Sequence, residues 1–165
     1  MSTIKNISFS YLEYESPEEL DAEDQELIIA AKEAAKLAYA PYSRFMVGAA
    51  IRLESGRIVH GSNVENAAFP SGICAERTVI AGAVSNYPDD KPVALAIAAM
   101  TDEGFTSQAV SPCGNCRQVI AEEEVRTGKQ IRIILSGKNK IQVLKSIGPL
   151  LPLQFSRENL RTNRP

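Results

Sequence analysis

Three cysteines and one glutamate, gathered in two short stretches, are the residues of this chain best suited to chemistry. The stretches are Cys74-Ala75-Glu76-Arg77 and Pro112-Cys113-Gly114-Asn115-Cys116-Arg117-Gln118. They hold every cysteine in the 165 residues, and three thiols cannot pair off into disulfides. Cys113 and Cys116, three apart behind a proline at a predicted helix start, share one helical face and can share one ion. Alone, that spacing also fits a redox pair or half of a structural zinc site. Cys74, with a carboxylate two positions on, sharpens it. Three thiolates around zinc, with an open fourth position and a carboxylate beside it, make a catalytic layout rather than a closed one.

Charge balance assigns the neighbours. Both metal stretches start predicted helices, and two helix N-termini converging on a cation carry partial positive charge. Three thiolates outweigh the two charges of zinc, so the helix ends stabilise sulfur rather than oppose the metal. Three thiolates also weaken zinc as a Lewis acid. Arg77, three residues beyond Cys74, is placed to hydrogen-bond a ligand sulfur and draw off charge; the competing reading is a surface ion pair. Glu76 points away from Cys74 on an ideal helix, which suits a proton shuttle better than a fourth ligand. The competing reading is a first-turn glutamate serving the helix dipole. His60, the only histidine, could close a Cys-Cys-Cys-His site, but a strand position far along the chain suits ordinary packing or exposure.

The elements that must position these residues follow from periodicity. Residues 4–14 alternate loosely, as a short strand or an extended arm, so residues 1–16 form a candidate N-terminal arm. Ser16-Pro17-Glu18-Glu19 is a helix-start pattern. Leu27, Ile28, Ala31, Ala34, Ala35 and Ala38 recur at helical spacing up to Pro41, with small residues that let another layer come close. Residues 46–53 and 57–64 form a predicted hairpin around Ser55-Gly56, and a loop, 65–72, leads to Cys74. Helices are predicted from Cys74 to about Asn86 and from Pro112 to Thr127. Residues 92–100 are almost continuously apolar, as in a strand covered on both faces; 131–135 and 140–144 are further strands, and 146–155 is an irregular close. The expected fold is α/β: one domain over residues 1–165, a three-layer α/β/α sandwich around a mixed, roughly five-stranded sheet.

Composition bounds the partners. An apolar share of 44% over 165 residues can bury a core without disulfides. No apolar run is long enough to span a membrane, and the N-terminus lacks a signal pattern, so a reducing cytoplasmic setting is expected. A net charge of -2 without a basic block excludes a nucleic acid polymer as the main partner. Arg157, Arg161 and Arg164 are expected to be part of a solvated tail.

A ligand-x-Glu pair followed by Pro-Cys-x-x-Cys is the zinc deaminase signature, here in three-cysteine form. From about Tyr39 to Phe155 the chain resembles the small homotetrameric cytidine deaminases of nucleoside salvage. The resemblance covers Tyr39-Ala40-Pro41-Tyr42-Ser43, Phe45-Met46-Val47-Gly48-Ala49-Ala50, Asn63-Val64-Glu65-Asn66-Ala67, both metal stretches and Leu150-Leu151-Pro152. It implies that Cys74, Cys113 and Cys116 bind one zinc per subunit, that Glu76 shuttles protons, and that Arg77 balances the thiolates. It also implies a substrate site of Asn63 and Glu65 at the ribose, Phe45 beside the base, Ala75 between ligand and shuttle, and Phe69 and Phe155 near the pocket. Phe155 would be supplied across a subunit boundary. The implied reaction is hydrolytic deamination of cytidine and deoxycytidine, with a blasticidin-type deaminase and a non-catalytic zinc or dithiol module as the rivals. Met46 stands where the family often has proline, Phe69 where tyrosine is frequent, and the first 20 or so residues are longer and more acidic than in many relatives.

Overall fold

The structure is a computed structural model and describes residues 2–160, so Arg161 and Arg164 of the expected tail lie outside the described residues. Its centre is set by the alternation along one strand, β4 (Pro92–Thr101). Ala94, Ala96 and Ala98 point to one face and Leu95 and Ile97 to the other, and both faces are buried. On the small-residue face lies α1 (Ala22–Ala35), bringing Leu27, Ile28 and Ala31. On the large-residue face lie α2 (Ala75–Asn86), with Val79, Ile80 and Ala83, and α3 (Gly114–Thr127), with Ile120 and Ala121. The result is the expected three-layer α/β/α sandwich.

The sheet has seven strands rather than about five. β2 (Met46–Leu53) pairs antiparallel with β3 (Ile58–Ser62) and with β4. A two-residue strand, β5 (Gly104–Phe105), folds back on the end of β4. β4 runs parallel to β6 (Arg132–Ser136), which pairs antiparallel with β7 (Ile141–Leu144). The N-terminal segment supplies the edge as β1 (Leu12–Tyr14), giving the order β1-β7-β6-β4-β2-β3. β1 is the paired end of the loosely alternating 4–14 segment, and β5, at two residues, is too short for a period of two to show in sequence. β1 is held instead by its ladder and by Glu13, which accepts from Lys140 and Gln142.

Other expectations shift in detail. Ser16 caps only a 3-10 turn, Pro17–Glu19, closed by a capping box. The chain then extends through buried Leu20, and α1 starts afresh at Asp21, whose carboxylate accepts from the Asp24 amide. At its other end α1 tightens into short turns and stops before Tyr39, which forms a bridge with Val64. Among the described residues no helix is long and apolar enough to cross a membrane. A short helix, α4 (Arg157–Leu160), ends the described chain.

Two close approaches matter for the site. At Gly137, after β6, a Cβ would press on the Gln108 and Ala109 backbone, and Lys138 and Asn139 donate to the carbonyls of Thr106 and Ser107. That fastens the loop leading to Pro112. At Gly48 of β2, a Cβ would overlap the Ala31 carbonyl oxygen and the Ala35 amide nitrogen of α1. Those neighbours are helix backbone and cannot swing aside. Gly48→Ala is therefore expected to lower unfolding free energy by about 1–3 kcal/mol, measured by urea denaturation; an unchanged midpoint would contradict this packing.

Candidate functional site

Cys74 and Cys113 each occupy the N-cap position of a helix, α2 and α3 respectively. Neither side chain caps its own helix, so both thiols are free to turn outward. Cys116 sits one turn into α3 and is fully buried. The two helices meet by packing on the same face of the sheet, while Val64 and Ile73, ahead of α2, exchange backbone hydrogen bonds of 2.9 and 3.0 Å that close the loop between them. This closure sets Asn63 and Glu65 beside Cys74 although about ten residues separate them in sequence.

The ligand sulfurs of Cys74, Cys113 and Cys116 all lie within 4.8 Å of one another, with Cys113 and Cys116 3.6 Å apart. Tetrahedral zinc with Zn–S bonds of about 2.3 Å places its sulfurs about 3.8 Å apart, so the triangle fits that ion. The donor set fits as well: all three thiols are unpaired, and soft sulfur donors select zinc over hard cations. Among the described residues no fourth histidine, cysteine or carboxylate joins the cluster. His60 does not complete it. His60 is exposed and pairs across the ladder with Ala50, whose side chain faces α1, on the side of the sheet opposite α2.

Burial dominates the electrostatics. It pushes the Cys74 thiol up, and raises Cys116 further, with Glu76 and Cys74 adding negative charge beside it. For Cys113 burial pulls the same way, but the Cys116 N–H, the Cys116 thiol and the Asn115 N–H together outweigh it and the net shift is downward. These are the α3 N-terminal donors acting on sulfur, as the charge argument requires. Glu76 is 5% exposed on the first turn of α2. Its burial holds the carboxyl above the usual range, against the pull of its own N–H and the Cys116 thiol. It stands outside the sulfur cluster but lines the same cavity, as a proton carrier would.

That cavity is about 480 Å³, within the range of small-ligand pockets. The cluster opens into it through Cys74 and Cys113, and Ala75, Asn63, Glu65, Phe45 and Phe69 also line it. Asn63 is already engaged: Oδ1 accepts from the Val47 amide at 2.8 Å, and Nδ2 donates to the Phe45 carbonyl at 3.0 Å. One N–H and one lone pair remain for a ligand. Asn63 thus also fixes the backbone that carries Phe45. Glu65 accepts from the amides of Tyr42 and Ser43. The Ser43 side chain, then those amides, hold its carboxyl below the usual range despite some burial.

One sequence expectation meets a different arrangement. Arg77 is half-buried and forms no hydrogen bond or ion pair among the described residues, so the sulfur contact expected of it is not formed. The arginine docked beside the cysteines is Arg117, which donates to the Pro112 carbonyl at 2.7 Å and the Leu150 carbonyl at 2.7 Å. Phe155 is 59% exposed and lies outside the cavity of its own chain; Gln118 donates to its carbonyl at 2.8 Å. Sequence reasoning assigned nothing to Tyr42, Val110, Ser111 or Ile97, all of which line the cavity. Tyr42 meets Phe69 edge-on at 5.8 Å. The only signal for it was its place in the Tyr39-Ala40-Pro41-Tyr42-Ser43 motif.

Comparisons with known proteins agree with this geometry. Residues 21–129 match the family described as the cytidine and deoxycytidylate deaminase zinc-binding region. A cytidine deaminase of Sporosarcina psychrophila is 43% identical over 82% of this chain and 93% of its own. One from Halalkalibacterium halodurans is 45% identical over 82% of this chain and 96% of its own. The crystal structure of cytidine deaminase from Burkholderia pseudomallei superimposes with a TM-score of 0.67 at 37% identity, covering 79% of this chain and 97% of that one. With its three-cysteine zinc cluster, this chain belongs to the cytidine deaminase family.

Proposed function

We propose that the chain is a single catalytic domain that deaminates cytidine and 2′-deoxycytidine hydrolytically, giving uridine or deoxyuridine and ammonia. The observation that carries this reading is one cavity lined by Cys74 and Cys113 of a three-sulfur cluster, by the buried Glu76 outside that cluster, and by Asn63 and Glu65, whose carboxyl is held below its usual range. Bound at Cys74, Cys113 and Cys116, zinc supplies a Lewis acid that lets water react near neutral pH. The protein supplies the rest. Glu76 takes the proton of the attacking water and passes it to the ring nitrogen beside the reacting carbon. It then takes the second proton from that same oxygen and gives it to the departing amine as the C–N bond breaks, leaving the oxygen as the new carbonyl. A carboxyl whose burial raises its affinity for protons suits both transfers.

Glu65 and the remaining capacity of Asn63 accept and donate at the sugar hydroxyls, while Phe45 and Phe69 present ring faces and edges to the base. Among the described residues no lysine, arginine or histidine lines the cavity, whereas Glu65 and Glu76 do. A 5′-phosphate would face carboxylates without a counter-ion, so a nucleoside is favoured over a nucleotide. The role we propose for Arg77 is to turn toward the sulfurs once they are ionised, offsetting their charge. Phe69 and Phe155 are 75% and 59% exposed, and in a homotetramer they would be covered as neighbouring subunits complete each pocket. A cytoplasmic enzyme of pyrimidine salvage is the matching cellular role.

Three measurements test the reading. Glu76→Ala is expected to keep one zinc per chain and lose about 10²–10⁴-fold in turnover, followed by metal assay and by the absorbance change of cytidine on one sample. Zinc lost together with Glu76, or near-normal turnover, contradicts the role. Asn63→Ala strands the Phe45 carbonyl and Val47 amide, so KM for cytidine should rise while unfolding free energy falls by about 1–3 kcal/mol. Should Asn63→Ala and Glu65→Ala both leave cytidine kinetics untouched, a cytosine compound without ribose becomes the better substrate to pursue. Light scattering on the zinc-loaded protein is expected to give four subunits; a monomer at full activity would remove the shared-pocket proposal.

A further inference from the structure

The three cysteines are not held equally. Cys116 is fully buried and fixed by the core, whereas Cys113 is exposed, so packing does little to place its sulfur. Its sulfur meets the Cys116 thiol and the first α3 amides, so its place depends on its backbone, and that backbone is bracketed by one residue. The Arg117 amide donates to the Cys113 carbonyl at 2.9 Å, and Arg117 Nε donates to the Pro112 carbonyl at 2.7 Å. From the same guanidinium, Nη1 donates to the Leu150 carbonyl at 2.7 Å. Leu150 ends the 3-10 turn Gly148–Leu150, which follows fully buried Ile147. The Ile147 amide in turn donates to Glu124 of α3 at 3.2 Å. The far end of the strut is therefore anchored to the same helix as the near end.

We infer that Arg117 is the positioning residue for Cys113: its two-pronged guanidinium clamps the Pro112–Cys113 peptide against the Leu150 turn and thereby fixes the exposed zinc ligand. Arg117 touches neither substrate nor sulfur in this role. It acts through two carbonyls, and a planar fork can span both where a single ammonium cannot. Partners one step removed from a metal ligand commonly change metal affinity about 10–100-fold when removed. The inference rests on zinc occupying the three cysteines.

The test is the rate at which zinc-loaded protein yields its metal to an excess of a chromogenic chelator at fixed pH, with thermal midpoints recorded alongside. Arg117→Met keeps the apolar stem and removes both donors; Arg117→Lys keeps the charge and loses the fork. Both are expected to release zinc about 10–100-fold faster than the unaltered protein. Gln118→Ala loosens the C-terminal segment at Phe155 without touching Pro112, and should release zinc at the original rate. Original-rate release from either folded Arg117 variant overturns the inference. So does equal acceleration in Gln118→Ala, because the C-terminal segment would then carry the effect. If Arg117→Met does not fold, the lysine variant decides alone. An unaltered protein without stoichiometric zinc sinks the zinc reading itself, a result distinct from unchanged release rates.

Discussion

The site depends on two helices starting at the same place. Cys74 and Cys113 are N-cap residues of α2 and α3, whose apolar sides pack on one face of the sheet around Leu95, Ile97, Ile133 and Leu135. Once those helices are seated, their first turns bring the sulfurs within 4.8 Å without any further loop arrangement. The α3 start also directs unpaired N–H groups toward the Cys113 sulfur, which lowers that thiol, while at the α2 start the Glu76 N–H serves its own carboxyl. A cluster of three thiolates would otherwise repel itself. Here the helix ends, the core and the metal site solve one another's problems: burial concentrates the sulfurs, and backbone dipoles make part of the charge tolerable.

The opposite face of the sheet has a different task. Alanines on α1 and β4, with Gly48 on β2, draw α1 almost onto the strands. This rigid small-residue layer supports β2 from behind. The chain immediately before β2 carries Phe45, and Asn63 ties that segment to the chain after β3 through two hydrogen bonds. Asn63 therefore joins two roles that usually belong to separate residues. It offers polar groups to the cavity and locks the backbone bearing the aromatic wall.

Much of this was legible in sequence. The five longer strands, the three main helices and the sulfur cluster follow from period, small-residue pattern and cysteine spacing, all of which are local signals. β5 escaped because two residues folding back on Met100 and Thr101 carry no period of their own; β1 was legible only as a loose alternation over 4–14, because the three residues that pair are chosen by a distant partner, Ile141 to Val143. Tyr42 and Ser43 escaped for the same reason: their amides matter because Glu65, more than twenty residues later, folds back to accept them. Arg77 shows the converse limit. Its spacing on the helix is right for a sulfur contact, yet spacing does not decide which rotamer a long side chain adopts.

Arg117 and Gln118 extend the logic to the end of the chain. Both lie in the second cysteine motif, and both spend their donors on carbonyls of the segment running from Leu150 to Phe155. That segment has little to hold it otherwise. Leu153 is 93% exposed and adopts a left-handed backbone conformation with φ of 56°, which costs a branched residue on the order of 1–3 kcal/mol. Burial offers that leucine nothing in return within one chain. Hydrogen bonds from α3 hold the chain on either side of it, at Leu150 and Phe155, with Glu124 holding Ile147 further back. The helix that carries two of the three sulfurs thus also holds the backbone at Phe155. Two separate tethers thus run from α3 to this segment, Arg117 to Leu150 and Gln118 to Phe155, and only the first also reaches the Pro112–Cys113 peptide.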